Sequence, residues 1–418
     1  MKEAGAAISS GLRERVFLVS PAGIGGVQTL CVTLAQAFHD VGYEVDILFE
    51  RSEPGREQDP PVPSGVTSRE FVSSQFDNSY HVIKRMAKLI HEARYDFVYP
   101  NTSAVTYRAL GMLGPHRPTA IGGCLGNWEH DYACNTEFVN YLDHIFADSS
   151  MGAEELRRRL TRCNIGITAI PHGLKRPIEE SRRDFSGLLR LVFVSRHVAY
   201  KRVPDLLEAA RRLRELGVEF HLCLAGDGPL RDDLERQARE LSLGGVVEFR
   251  GFVTQDQLEE LMRTAHLTFL LSESEGFGIV ALEGMKCGCV PIVTTNCGCR
   301  EAIRDGVNGF IVGVGDVATV ADRVRLLDRD RARLASMSEA ASRTVREDYT
   351  LEREVARHLE VLRLAQEHHQ RHAARTIPWK YEPPTLMNYP WVPNWLARNL
   401  RRLKYCFAAS LRPGTPLP

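Results

Sequence analysis

Apolar residues in this chain gather in short runs separated by segments of helical periodicity. Arg15-Val-Phe-Leu-Val-Ser20 is an apolar run bounded by charge and by Pro21. A glycine cluster follows, and Val27 to His39 then places Leu30, Leu34, Ala37 and Phe38 at helical spacing. Gly42 closes that helix, and Tyr43 to Phe49 alternates and then runs apolar. The pattern predicts strand, glycine loop, helix and strand, the seed of a doubly wound parallel sheet. Glu53 to Ser68, rich in proline and glycine, reads as a loop, and Phe97–Tyr99, Thr119–Ile121 and His144–Ala147 read as further strands with helices between them.

A second series starts after Lys175 to Arg183, a charged segment with Pro177 and no apolar periodicity, which reads as a linker. The strands expected are Leu189–Val194, Phe220–Ala225, Val246–Phe249, Leu267–Leu271 and Pro291–Thr294. The helices between them are Pro204–Leu216, Leu230–Leu241, Gln255–Thr264 and Gly278–Cys287. Such alternation marks parallel βα units, so the expectation is an α/β protein of two doubly wound, Rossmann-like domains facing across a cleft. Residues 317 to 370 are mostly helical by pattern, and the last helix runs from about Glu352 toward Arg375. The boundaries expected are 1–180, 186–350 and 351–418.

At 418 residues the chain is too long for a single small binding module. Its 53 Lys/Arg balance 53 Asp/Glu, and 44% hydrophobic with 25% charged residues is ordinary for a soluble globular protein, which excludes global disorder and a generally basic nucleic-acid surface. The balance hides an asymmetry. Residues 371–418 carry eight Lys/Arg against the single acid Glu382, together with Trp379, Trp391 and Trp395. From Trp395 onward, Leu396, Leu400, Leu403 and Phe407 share one helical face while Arg398, Arg401 and Arg402 take the other. That pattern suits either a peripheral contact with anionic lipid through 391–418 or packing on the first domain. No run of eighteen apolar residues occurs, and Lys2, Glu3, Arg13, Glu14 and Arg15 break any signal-peptide pattern, so a cytoplasmic location, with membrane contact at its inner face, is expected. Ten cysteines, several in apolar runs such as the one around Cys223, fit a reducing compartment.

Three places can carry chemistry. The loop Gly23-Ile-Gly25-Gly26 sits between a strand and a helix, where free N–H groups can meet an anion; with Glu50 at the end of the second strand it also imitates, at the wrong glycine spacing, the nicotinamide cofactor site of an oxidoreductase. The stretch Glu275-Gly-Phe-Gly-Ile-Val-Ala-Leu-Glu283 ends a strand and opens a helix, so the amides of Phe277, Gly278 and Ile279 can point at a phosphate. Glu283 lies at i+8 from Glu275, two turns on and so on roughly the same face. Ser195 and Arg196 end the first strand of the second series, and Lys201 follows five residues on, placing two cations where a diphosphate would lie. Cys287-Gly-Cys289 and Cys297-Gly-Cys299 lack the spacing of a zinc ribbon, and Asp328-Arg-Asp330 has the D-x-D spacing of metal-dependent transferases but falls in a charged helical segment, so no metal is expected.

These residues carry a resemblance. Val194-Ser-Arg196 with Lys201, Ala225-Gly-Asp-Gly228, Phe249-Arg-Gly-Phe252, Ser272 to Gly278, the E-x7-E pair Glu275 and Glu283, Gly288-Cys-Val-Pro291, and Gly298-Cys-Arg-Glu301 with Asn308-Gly309 resemble the nucleotide-sugar-binding domain of the retaining GT-B glycosyltransferases of family four. The first half is similar more loosely, through Gly25-Gly26, Ala147-Asp-Ser149 and Ile170-Pro-His-Gly173.

The resemblance implies a first domain that binds the acceptor, a second that binds a nucleoside diphosphate sugar, and a tail that packs on the first domain or on a membrane. Arg196 and Lys201 would bind the donor diphosphate and Glu283 the ribose. Glu275 with Gly276 and the amides of Phe277, Gly278 and Ile279 would hold the transferred sugar and distal phosphate, while Gly226 and the backbone of Arg250, Gly251 and Phe252 would surround the base. Gly25 and Gly26 would close over the phosphates. Transfer would retain the anomeric configuration, need no metal or other cofactor, and go to a glycan, glycolipid or small-molecule acceptor, with a non-catalytic sugar-nucleotide-binding protein as the alternative. Family members usually carry a histidine at the end of the strand that Pro118 to Ile121 would form. This chain reads Gly122-Gly-Cys-Leu-Gly-Asn-Trp-Glu-His130 there, so His130, Asn127 and Glu129 are the loop candidates to reach the site, with His130 placed beside Glu275, Arg196 and Lys201 in the catalytic set.

Overall fold

The structure, a computed structural model, describes residues 13–23, 25–53, 59–74, 76–175, 183–376, 379–380, 388 and 392–400. It has two parallel sheets. The first contains β1 (Arg15–Pro21), β2 (Glu44–Arg51), β3 (Thr67–Val72), β4 (Phe97–Asn101), β5 (Thr119–Cys124), β6 (His144–Ala147) and β7 (Gly166–Ala169), in the order β3-β2-β1-β4-β5-β6-β7. Helices α1 (Gly26–Asp40), α2 (Ser79–Ala93), α3 (Ala104–Leu113), α4 (Glu129–Glu137) and α5 (Ser150–Arg159) lie between these strands. The second contains β8 (Leu189–Val194), β9 (Phe220–Ala225), β10 (Val247–Gly251), β11 (Leu267–Leu270), β12 (Val290–Thr294) and β13 (Phe310–Val312), in the order β10-β9-β8-β11-β12-β13. Its helices are α6 (Val203–Glu215), α7 (Arg231–Glu240), α8 (Gln255–Thr264) and α9 (Ile279–Lys286), followed by α10 (Val317–Arg329), α11 (Arg331–Asp348) and α12 (Leu351–His372). Strand order reverses between β1 and β4 and between β8 and β11, and ligand crevices open at the carboxyl ends of such switch points.

Central strands form from continuous apolar runs because helices cover both sheet faces. Val16 to Val19 in β1 are fully buried, and Leu189, Leu191, Val192 and Phe193 in β8 are at most 2% exposed. Helices follow from local signals. In α8, Thr254 and Gln257 form a capping box, with Gln257 N–H donating to Thr254 Oγ1 at 3.4 Å and Thr254 N–H to Gln257 Oε1 at 2.9 Å.

Three strands go beyond the sequence expectation: β3, β7 and β13, all at sheet edges. An edge strand buries little, so the apolar run that marks a central strand is missing. Four of the six residues of β3 are exposed, and part of it lies in the segment read as a loop. Its register on β2 is fixed by main-chain pairing from Asp46↔Thr67 to Arg51↔Val72 and by the ion pairs Arg69–Asp46 (2.9 Å) and Arg51–Glu70 (3.1 Å).

Helices α10 and α11 stay with the second domain, placing Val320, Leu327, Leu334 and Met337 in its core. Helix α12 returns to the first, where Val361, Leu362 and Ala365 join the core under β1, β2 and β4. Past α12, the Trp379 ring packs edge-on to Phe138 at 5.7 Å, and the Trp379 backbone N–H donates to the Gly111 carbonyl at 2.8 Å. The segment 392–400 docks beside the N-terminus of α2: Asn78 Nδ2 donates to the Val392 carbonyl at 2.8 Å, and Arg398 pairs with the buried Asp77 at 2.6 Å. Arg398, expected on the outward polar face, therefore turns into the protein, while Trp395 is 66% and Leu400 42% exposed. Residues 176–182 of the linker, Trp391 and the tail from Arg401, with Leu403 and Phe407, lie outside the described residues. Among the described residues no helix is long and apolar enough to cross a membrane.

One buried ion pair ties α12 to the first domain. Arg117 grips Asp143 through its two terminal guanidinium nitrogens, with both side chains at most 1% exposed, and the Nδ1 atoms of His368 and His369 on α12 lie 3.3 and 3.0 Å from the Asp143 carboxylate. Burial disfavours the charge, but the hydrogen bonds of His368, His369 and Arg117 outweigh it and hold the Asp143 carboxyl well below the usual range. A carboxyl depressed in the folded state stabilises the fold above its unfolded pKa and loses that contribution as pH falls through the folded value. Asp143→Ala leaves the guanidinium buried and uncompensated, so a loss of about 3–5 kcal/mol is expected in denaturant unfolding at neutral pH. The difference from wild type should shrink in acid.

Candidate active site

At the β8/β11 switch point the second domain gathers the residues singled out in its sequence. Lys201, in a short helical turn after β8, forms an ion pair with Glu275, whose Oε2 also accepts from Ser272 Oγ at 3.1 Å. Tyr200 sits between two cations: Arg196 Nη2 donates to its hydroxyl at 3.3 Å, and Lys201 Nζ lies 5.2 Å from its ring centroid. The loop Glu275–Gly278 then leads into α9. Gly278 precedes the helix with φ +93, a conformation a side chain would strain, and no side chain caps the first turn, so its amides are available to an anion.

This geometry corrects the expectation that Glu275 and Glu283 share a helical face. The helix begins only at Ile279, so Glu275 belongs to the loop and the two acids take different partners. Glu283 accepts from Gln255 Nε2 at 3.1 Å, and burial pushes its carboxyl above the usual range against the opposing effects of Gln255 and Lys286. Beyond it, Gly226 N–H donates to the Gly251 carbonyl at 2.6 Å and Ser195 N–H to the Ala225 carbonyl at 3.1 Å, joining the loops after β8, β9 and β10. Arg250 pairs with Glu248 at 3.0 Å on the surface, and Phe252 is 71% exposed beside them.

The first domain closes on this loop. A Cβ added to Gly276 would lie 2.8 Å from both Gly126 Cα and the Leu125 carbonyl and 2.5 Å from Asp148 Oδ2, so only glycine permits the approach. Ser274 Oγ donates to the Asn127 carbonyl at 3.3 Å, and the rings of Trp128 and Tyr200 meet edge-on at 5.3 Å. Behind the loop, His172 packs edge-on against Phe277 at 5.3 Å, its Nδ1 3.3 Å from Glu354 on α12. Burial pushes Asp148 up to about 7, with His172 and Ser149 opposing and Asp131 and Glu275 adding to it. Burial works against protonation of His172, yet Glu354 and Asp148 raise its pKa above the usual value. Asp148, His172, Trp128, Tyr200 and Glu354 were not singled out from sequence. The first four stand within or beside quoted motifs, but nothing local links Glu354 to His172, 182 positions away.

The remaining candidates disperse. His130 falls in the first turn of α4 rather than in a loop; its exposed ring approaches the Thr102 carbonyl at 3.3 Å and takes no part in the hydrogen bonds of Glu275 among the described residues. Glu129 pairs with Arg159 at 2.6 Å, and Asn127 Oδ1 accepts from Tyr132 at 2.6 Å. Gly25 caps α1 in an extended conformation and Gly26 opens it with free space around its Cα. Glu50 lies at the end of β2 as expected, but burial raises it to about 7 and its Oε1 has no hydrogen-bond partner. The cysteines of both C-x-C pairs have pKa values raised by burial, Cys287 to about 12 and Cys297 to about 11, and Cys289 and Cys299 are fully buried. Asp328 pairs with Arg331 at 2.5 Å, and Asp330 caps α11, so the D-x-D acids serve helix ends. Among the described residues no group of three His, Cys, Asp or Glu stands close enough to hold a metal ion.

Comparison with known proteins agrees with this arrangement. Residues 177–344 match the family described as glycosyl transferases group 1, and residues 24–175 match glycosyltransferase family 4. The chain is 34% identical over 168 residues to N-acetyl-alpha-D-glucosaminyl L-malate synthase of Bacillus anthracis, a match spanning 40% of this chain and 43% of that protein. It is 29% identical over 280 residues to the putative glycosyltransferase EpsD of Bacillus subtilis, spanning 61% of this chain and 73% of that one. Among solved structures, Anabaena Alr3699/HepE in complex with UDP and glucose superposes with a TM-score of 0.69 at 17% identity over 84% of this chain and all of that one, and TarM with 0.72 at 12% identity over 84% and 99%. Two family matches lying end to end across both Rossmann-like domains place the chain in the GT-B glycosyltransferases of family four.

Proposed function

We propose that this protein transfers a sugar from a nucleoside diphosphate sugar, held mainly by the second domain, to an acceptor held mainly by the first, with retention of anomeric configuration and without a divalent metal. The observation that carries the reading is the convergence of Arg196, the Lys201–Glu275 pair and the uncapped start of α9 at one switch point, pressed against the loop Leu125–Trp128 of the other domain. In this reading the two cations and the helix amides supply the positive potential that a departing diphosphate requires. Glu283 binds the ribose hydroxyls, and the backbone from Arg250 to Phe252 lines the base. Glu275 orients the transferred sugar, and the closed contact at Gly276 sets the distance between donor and acceptor, where rate is most sensitive. The names of relatives support a sugar-nucleotide donor: HepE structures carry UDP and UDP-glucose. A glycan or glycolipid is the acceptor class that best suits a chain whose docked tail leaves Trp395 and Leu400 outward, where they can meet a membrane surface.

A thermal-shift panel of UDP, GDP, ADP and TDP and their sugar conjugates, with and without magnesium, tests the donor reading. One base is expected to stabilise the protein equally in both conditions, by about 2.7 kcal/mol at a hundred times its dissociation constant. Proton NMR of the product then reads the anomeric configuration. Glu283→Ala is expected to weaken nucleotide binding by about 1–3 kcal/mol in calorimetry. Because burial raises this carboxyl, wild-type affinity should fall with decreasing pH at a higher pH than an ordinary glutamate would dictate, and Glu283→Gln should abolish that dependence. Deleting residues 391–418 is expected to lower binding to anionic liposomes; equal binding of both forms would remove the tail from the membrane reading.

A further inference from the structure

Four titratable side chains shielded from solvent stand where the chain crosses between the domains, and the transfer proposed above uses none of them. Asp148, after β6, is 2% exposed, and Ser149 Oγ donates to its Oδ1 at 3.3 Å. His172 follows β7, and the buried Glu354 and His358 lie one turn apart on α12. Glu354 stands 3.3 Å from His172 Nδ1 and accepts from the Gly173 N–H at 2.9 Å. Both passages of the main chain between the domains meet here. Leu174 N–H donates to the Tyr349 carbonyl and Leu351 N–H to the Leu174 carbonyl, each at 2.9 Å. A Cβ on Gly173 would lie 2.2 Å from the Thr350 carbonyl, so the two passages touch backbone to backbone.

The second domain covers Asp148. Its Oδ2 would lie 2.5 Å from a Cβ on Gly276, Ser149 Cβ would lie 2.7 Å from one on Gly298, and the Ser150 N–H donates to Glu301 at 2.8 Å. The charges facing Asp148 are unbalanced. Cys124 on β5 and Asp131 and Tyr132 on α4 face it from the first domain, and Glu275, already paired with Lys201, faces it from the second. Arg159, along α5, is held by Glu129 and Glu155. His172 can offset the charge, but Glu354 also draws on that ring, and burial pushes His358 down to about 4, so it stays neutral. Burial therefore pushes the Asp148 carboxyl up to about 7, with His172 and Ser149 opposing and Asp131 and Glu275 adding to the rise. An ionised Asp148 facing Glu275 across a seam that excludes water is costly, and a protonated one is not.

We propose that Asp148 is a proton-sensitive positioning residue: with its carboxyl protonated the loop Glu275–Gly278 seats against the first domain, and with the carboxylate ionised the seam opens about the crossing at Leu174 and Thr350. Once the seam opens, Gly276, Gly298 and Glu301 no longer cover Asp148, and its carboxyl returns toward the ordinary value of about 4. A carboxyl raised in the closed state favours closure below the open-state value and loses that preference as pH rises through the closed-state value. The window therefore runs from about 4 to about 7, and each pH unit within it changes the closing equilibrium by about tenfold. His172, raised by Glu354 and Asp148 against its burial, acts in the same sense, so closure takes up protons. Glu283 acts in the opposite sense, through nucleotide affinity rather than closure. The link from this seam to sugar transfer rests on the donor reading above, whereas the seam itself rests on its own contacts.

Amide hydrogen exchange of the full chain, corrected for the intrinsic pH dependence of exchange and followed from about pH 5.5 to 8.5, tests this without any ligand. Segments 122–128 and 273–280, on the two sides of the seam, are expected to lose protection at least tenfold across that range with a midpoint near 7, while the core strands 15–21 and 189–194 keep theirs. Small-angle scattering should show the molecule expanding over the same interval. In Asp148→Asn, the uncharged isostere, the change in seam protection should fall below threefold. In His172→Gln, which removes the group opposing protonation of Asp148, the midpoint should move to higher pH. Glu283→Gln should leave the seam's pH dependence in place. Constant seam protection in the wild type, the same pH dependence in Asp148→Asn, or an unmoved midpoint in His172→Gln overturns the proposal. The His172 variant decides if Asp148→Asn does not fold. Calorimetric nucleotide affinity of the same chains separates the two readings. If nucleotide binds and the seam does not titrate, this inference fails and the donor reading stands. If the seam titrates and no nucleotide binds, the donor reading fails and the link to transfer fails with it.

Discussion

The functional geometry depends on one close approach between backbones. Gly276 lies so near Leu125, Gly126 and Asp148 that any side chain would separate the domains, and a Cβ on Gly298 behind it would fall 1.9 Å from the Gly276 carbonyl. Steric exclusion at these two positions brings the E-x7-E loop against the first domain. The edge-on pairs Trp128–Tyr200 and His172–Phe277, and the hydrogen bond from Ser274 to Asn127, then lie along the same seam. Each is worth little alone. Together they define which face of the second domain meets the first.

Helix α12 makes that contact more than an encounter between two independent domains. It starts at Thr350, beside Leu174 of the first domain, and crosses under β5, β6 and β7 to end near Asp143. Near its start Glu354 accepts from the Gly173 N–H at 2.9 Å and approaches His172, which packs on Phe277. Near its end the Arg117–Asp143 pair fixes the other half. Buried charge is costly unless matched, and here the matching partners come from three separate stretches of chain. The same helix thus supports both the first domain's core and the wall behind the loop Glu275–Gly278.

Electrostatics within the cleft is divided by domain. The second domain offers cations and helix amides near Glu275, while the first offers a raised Asp148 carboxyl. The separation is set by the folds themselves, because each switch point opens at the carboxyl ends of its own strands and the two face one another.

The sequence alone determined the central architecture. Continuous apolar runs at β1, β2, β8, β9, β11 and β12 mark strands buried on both faces, and helical periodicity with caps marks the connections, because burial in a parallel sheet leaves a local imprint. It also set glycine, glutamate and helix start within nine consecutive residues, Glu275 to Glu283, the stretch proposed above to hold the donor. The edge strands β3, β7 and β13 were not legible, because half-exposed strands need little apolar surface and take their register from a neighbour. Tertiary structure alone decided that Glu275 leaves the helix of Glu283, because the left-handed turn at Gly278 intervenes. It also turned Arg398 inward to Asp77, set His130 toward Thr102, and assembled Asp148, His172 and Glu354 from segments up to some two hundred residues apart. Those outcomes depend on which distant side chain completes a buried charge or fills a seam, and such long-range pairing leaves no period or motif in the chain that carries it.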